Sequence, residues 1–203
     1  MELQYILNHA PWLKQLHGRV LPKDLLPQQR EMDVRAFIVN TDDSDLPGRH
    51  WVSVYFSDNG DAYYFDSYGL PPIHEEILQF LKRHSKQNWI SQEGSYNHQR
   101  VQSLFSNVCG LYCVFALDTL ARGYNIQHYL RHTFYPSKFF KNDQQIIRWF
   151  REHYGTMHAT AQRQTSTGLC QRCSPKEDHH EMTLHHPKMK LCHHKPKMPT
   201  VIL

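Results

Sequence analysis

The stretch HWVSVYFSDNGDAYYFD occupies residues 50–66. Its apolar and β-branched residues fall in two runs, 50–56 and 62–66, separated by SDNGD. Asn59-Gly60 is a strong hairpin signal, because both central positions of the tight turn need positive φ, which these two residues adopt at little cost. The two runs are therefore expected to be antiparallel neighbours. Strands running back equally from the turn put Asp66 close across from His50. Taken alone, His50 reads as a surface strand histidine and Asp66 as a turn residue ahead of Ser67-Tyr68-Gly69. A site needs further members.

Upstream of the hairpin, 34–40 (VRAFIVN) reads as a buried strand, joined to 50–56 by the polar loop DDSDLPGR. Residues 2–17 read as helical, with Leu3, Ile6 and Leu7, then Leu13 and Leu16 after Pro11. Downstream, Pro71-Pro72 opens a helix through His84 with Ile73, Ile77, Leu78 and Leu81 on one face. Residues 88–91 read as a short strand. The longest apolar helical run starts at Cys109, carries Leu111, Val114, Phe115, Leu117 and Leu120, and ends at Gly123. Helices near 125–132 and 142–154 follow, the latter with Ile146, Ile147 and Phe150. The predicted fold class is α+β, a small, mainly antiparallel central sheet packed on the helix that begins at Cys109.

That helix start poses a chemical question. Cysteine is among the most buried residue types, so Cys109 alone reads as a core thiol. Nucleophilic cysteine chemistry needs a setting that favours the thiolate, a base for its proton, a group to orient the base and donors for an oxyanion. A helix N-terminus favours an anion. His50 opens its strand at the end of a polar loop, where it can face a cleft, and Asp66 would fix its tautomer as the third member of a triad does. Gln102, seven residues before Cys109, offers an amide donor that would form an oxyanion hole with the Cys109 backbone N–H. Each residue is a weak signal singly; in the order His, Asp, Gln, Cys they are specific. Trp51 reads as packing over the site. Cys113, one turn on, reads as a small buried residue, with a redox partnership to Cys109 the lesser alternative.

These residues also carry a resemblance. His50-Trp51, the run Tyr64-Phe65-Asp66-Ser67-Tyr68-Gly69, and Gln102 ahead of Cys109-Gly110-Leu111-Tyr112-Cys113 resemble the adenovirus endopeptidase (adenain) family, within the wider group of SUMO- and NEDD8-deconjugating cysteine proteases. The run 35–41 and the Gly18…Pro22…Leu25 stretch are similar to that family too, so the likeness covers about 5–150. Proteases of this size and kind also occur in Polinton/Maverick elements. The resemblance implies a central sheet with a catalytic-cysteine helix, and Cys109 as nucleophile, His50 as base, Asp66 as orienter and Gln102 as oxyanion donor. It implies processing of viral structural precursors, often at Gly-containing sites. The chain is expected to act as a monomer, inside a host nucleus or virion, with no required cofactor. One feature departs from the family. Adenovirus enzymes bind an activating peptide by disulfide through a cysteine upstream of the glutamine, and here no cysteine precedes Cys109.

Composition sets the limits. All 25 aromatic residues lie in 1–155, and the body carries 16 Lys/Arg against 16 Asp/Glu. The tail, 156–203, holds seven Lys/Arg against three Asp/Glu, seven of the 16 histidines and three of the five cysteines, so the whole +4 resides there. A segment without aromatics buries too little to offset its ordering entropy. The expected organisation is a cysteine protease domain, 1–155, followed by a His/Lys-rich disordered tail. Cys170 and Cys173, His185 or His186, and Cys192 have the ingredients of a zinc site; their irregular spacing favours a tail that binds metal loosely or not at all. Its basic charge equally suits contact with nucleic acid. A neutral body argues against DNA as an activator of the domain itself. No run approaches the roughly 18 apolar residues of a membrane span, and MELQYILNHAPWLKQLHGR lacks a secretory layout. Five cysteines, two of them a helical turn apart, do not make a disulfide framework, so an intracellular setting is expected. Two other functions fit the same residues: an isopeptidase that removes a ubiquitin-like modifier, and an inactive protease-like binding module.

Overall fold

Four strands form one sheet: β1 (Arg19–Pro22), β2 (Ala36–Asn40), β3 (Trp51–Phe56) and β4 (Ala62–Phe65), in the order β1-β2-β3-β4. The computed structural model describes residues 3–28, 33–86 and 95–167, with side chains through residue 155. β3 and β4 form the expected antiparallel hairpin, but its turn closes from Ser57 O to Gly60 N–H around Asp58-Asn59, and of Asn59 and Gly60 only the glycine has positive φ, at 85°. β2 pairs antiparallel with β3, and β1 runs parallel to β2.

Every residue of β2 is buried because both faces of the sheet are covered. Period-two alternation divides its side chains. Ala36 and Ile38, with Phe65 of β4, face a cluster built on α3 (Cys109–Ala121). Phe37 and Val39, with Val52, Val54 and Phe56 of β3, face α2 (Glu75–His84) through Ile77, Phe80 and Leu81. α1 (Leu3–His9), α4 (Ile126–Thr133) and α5 (Phe139–Thr167) complete the α3 side. Because these helices surround α3, its sequence is apolar all round. The molecule is α+β, a sheet between helical layers.

Several boundaries differ from the sequence reading. The helix expected over 2–17 is α1 followed by a turn at Pro11, which lacks the N–H that would continue it, and a 3-10 turn at Lys14–Leu16. α2 starts at Glu75 rather than at the two prolines. β1 was not expected: it is four residues long, opens on an arginine and closes on a proline, and its pairing is parallel. Gln4 of α1 serves this strand, accepting from Val20 N–H at 2.8 Å and donating to the Gly18 carbonyl at 2.8 Å. α5 runs through Gly155 to Thr167 instead of stopping at 154. The expected strand at 88–91, the zinc candidates Cys170, Cys173, His185, His186 and Cys192, and the tail beyond Thr167 lie outside the described residues. Among the described residues no group of His, Cys, Asp and Glu could hold a metal, and no helix is long and apolar enough to cross a membrane.

Candidate active site

Register decides how His50 and Asp66 meet. β3 and β4 pair Ser53 with Phe65 and Val54 with Tyr64, so continuing the ladder sets Asp66 opposite Val52, not His50. Asp66 instead reaches diagonally, and its Oδ1 lies 2.8 Å from His50 Nε2. The position across from His50 belongs to Tyr68, whose ring stacks on the imidazole at 4.6 Å. His50 itself is held by its carbonyl, which accepts from Thr41 N–H at 2.9 Å and Thr41 Oγ1–H at 3.3 Å.

Asp66 begins a turn that ends the strand. Its carbonyl accepts from Gly69 N–H at 2.8 Å, and its Oδ1 also accepts from Tyr68 N–H at 2.8 Å. Gly69 sits at φ 71°, and a Cβ there would come within 2.7 Å of Arg100 N, so only glycine lets the 99–102 segment pass. That segment is bonded to the turn: Ser67 O accepts from Val101 N–H at 2.9 Å and from Gln102 N–H at 3.1 Å. Asn97, fully buried, clips the backbone of Asp66 from the other side. Its Oδ1 accepts from Asp66 N–H at 2.9 Å and its Nδ2 donates to Asp66 O at 2.5 Å.

Gln102 is also fully buried and has both ends of its amide engaged. Ser67 Oγ–H donates to Oε1 at 2.6 Å, while Nε2 donates to the Ser106 carbonyl at 2.7 Å and lies 3.3 Å from Ser106 Oγ. A carbonyl only accepts, which identifies the nitrogen end of the amide. From behind, the loop is supported by the start of α5. Asn142 Nδ2 donates to Val101 O at 3.0 Å, and Asp143 receives Ser103 N–H and, at 3.1 Å, the Tyr112 hydroxyl. Burial raises the Asp143 carboxyl above its ordinary range.

Cys109 is the first residue of α3 and is buried. Its helix has no side-chain cap, so first-turn N–H groups remain directed toward that end. The sulfur belongs to the surroundings of His50 and Tyr68. Burial alone would lower the His50 pKa, but the bond to Asp66 and the interaction with Cys109 outweigh it and push the imidazole up to about 9. Burial, then the nearby Cys109, pushes the Tyr68 phenol up. With Nε2 engaged by Asp66, His50 Nδ1 is buried with no hydrogen-bond partner. Cys113 is unlike Cys109: burial drives its thiol well upward, and it faces the small Ser53 of β3, where it packs the helix onto the sheet.

Of the four residues singled out from the sequence, His50 and Asp66 are in direct contact, Cys109 lies near enough to His50 to raise its pKa, and Gln102 is built into the loop leading to Cys109. Asn97, Tyr68, Asn142 and Asp143 were missed. Asn97 carries no local signal, and Asn142-Asp143 looks like any solvated start of a helix. No protein-family model matches the chain, and no curated protein does. Among solved structures the chain is similar to the ASFV pS273R protease, with 23% identity and a TM-score of 0.41, over 59% of this chain and 44% of that one. It thus matches less than half of that protein's length.

Proposed function

We propose that this chain is a cysteine endopeptidase of the adenain-like, SUMO-protease-like kind, cutting polypeptides at Gly-containing sites in the structural precursors of a virus or virus-like element. The observation that carries the reading is His50: Nε2 bonded to Asp66, Nδ1 buried without a hydrogen-bond partner, and Cys109 close enough to push the imidazole's pKa up. An imidazole anchored at one nitrogen presents the other for proton exchange with a thiol. In the resting pair the proton given up by Cys109 already sits on His50, in keeping with an imidazole charged at neutral pH, and Asp66 stabilises that imidazolium. The thiolate sulfur bonds to the scissile carbonyl carbon, and the carbonyl electrons move onto oxygen. The Cys109 backbone N–H and Gln102 Nε2 receive that charge; the longer Gln102 bond, to Ser106 Oγ, is the one a substrate oxygen would replace. The C–N bond then breaks as His50 protonates the departing amine, leaving a thioester. Water, deprotonated by His50, attacks the thioester, and the thiolate leaves as the acid product forms.

The test pairs substitution with a choice of substrate. Cys109→Ala should abolish cleavage of Gly-containing peptides and labelling by iodoacetamide at low pH, whereas Cys113→Ala keeps both. Full cleavage by Cys109→Ala would sink the mechanism. A diglycine ubiquitin-like vinyl sulfone run beside the peptide panel separates endopeptidase from isopeptidase. Labelling without peptide cleavage assigns the latter, and neither signal leaves a protease-like binding module.

A further inference from the structure

The loop between Gln102 and Cys109 exposes what a folded chain ordinarily hides. Leu104 is 62% exposed and Phe105 86%, and Phe140 at the start of α5, which lines the same groove as Phe105, is 64% exposed. Large apolar side chains grouped on a surface mark a binding region. Phe105 and Phe140 share a groove of about 490 Å³ with Arg100, Lys138 and Lys141, and no carboxylate lines it. Lys138 and Lys141 make no ion pair among the described residues; each lies over the Tyr135 ring, at 5.5 and 4.4 Å. Arg100 spans the Phe139 face at 4.2 Å and donates to Gln102 O at 2.9 Å, which ties the groove to the catalytic loop. Asp143, on the same helix, is turned inward to Ser103 and Tyr112.

We infer that this groove is a docking surface for an acidic segment, bearing a large apolar side chain, of the polypeptide to be cleaved. The inference rests on the protease reading for the identity of that polypeptide, but not for the chemistry of the surface. Lys138 and Lys141, without an ion-pair partner among the described residues, together with Arg100 select carboxylates, and exposed phenylalanines at the groove seat an apolar side chain between them. A polypeptide is favoured over nucleic acid on two grounds. Three phosphate contacts give only weak, salt-sensitive affinity. A substrate lying across Gln102, by contrast, is already delivered to the groove, so its second contact is intramolecular.

The experiment uses the full chain as Cys109→Ala, so that binding is read without cleavage. A fluorescein-labelled peptide alternating Asp or Glu with Phe or Leu is compared, by anisotropy, with its Asn/Gln counterpart, its Lys counterpart and a single-stranded oligonucleotide. The acidic peptide should bind roughly tenfold tighter than the amide peptide, and Lys138→Glu with Lys141→Glu should erase that margin and transfer preference to the Lys peptide. In the active chain, fusing the acidic segment to a cleavable Gly-containing peptide should raise kcat/KM by a similar factor through KM. Equal binding of acidic and amide peptides overturns the inference, as does an oligonucleotide that outcompetes the acidic peptide. Acidic-peptide binding that follows the charge reversal, in a chain that cleaves nothing, supports the surface and removes the protease reading instead.

Discussion

With Nε2 committed to Asp66, His50 has one nitrogen left, and its protonation decides what that nitrogen can do. Its pKa of about 9, against the ordinary 6.5, means that the ring is charged at neutral pH. Histidine Nδ1 and Nε2 chemical shifts should therefore titrate near 9 in the native protein. Cys109→Ala removes one of the two groups that favour the charge, so the midpoint should fall; an unchanged midpoint would separate the two residues. The sign for stability follows from linkage. Between 6.5 and about 9 the native state holds a proton that the unfolded chain has released, so this contribution is complete below 6.5 and is lost as pH rises through about 9. Activity should fade over the same alkaline range, because the departing amine needs the imidazolium proton. Asp66→Ala should lower turnover substantially without abolishing it and move that limb to lower pH. Asp66→Glu should be tolerated better, and equal losses from both would count against an orienting carboxylate.

The 66–69 turn, as an element, holds the carboxylate and the glutamine loop in one piece of backbone. Gly69→Ala introduces both an unfavourable φ and a clash with the Arg100 backbone, and should cost about 1–3 kcal/mol in chemical denaturation. Asn97→Ala leaves the Asp66 N–H buried without a partner and its C=O held by Gly69 N–H alone. It should lower kcat with little change in KM, since what loosens is the orienter, not the cleft. The hairpin was legible in the sequence because a turn dipeptide and two alternating runs are local signals. So were Cys109 at a helix start and Gln102 before it. Their supports were not legible. Asn97 reaches Asp66, and Asn142 and Asp143 reach the 101–103 loop, across separations that only tertiary structure closes, and nothing in those residues' own neighbourhoods announces it. β1 escaped for the same reason, its pairing being parallel and its edge satisfied by Gln4 from a distant helix.

For the molecule as a whole, the described side chains place the last anchor of α5 at Tyr154, which is buried and donates its hydroxyl to Asp118 at 2.7 Å. A chain ending at residue 155 keeps that bond. We expect it to melt close to the full-length protein and to cleave short peptides, while it sheds the segment that carries the whole +4. Unfolding of this shortened chain in a calorimeter well below the intact one would make 156–203 structural. The bonds from Val101 and Gln102 to Ser67 have one more consequence, for the order in which the protein opens. Ser67 and Gln102 are 35 positions apart, so their contact depends on the turn and the loop staying docked, not on either strand. Two amide hydrogens thereby become clocks for the end of the molecule that holds His50 and Cys109. In mild denaturant they should exchange with water together, at the concentration where turnover fails, while the amides shared by β2 and β3 remain protected. Release only at global unfolding would mean that this end and the sheet melt as one cooperative unit.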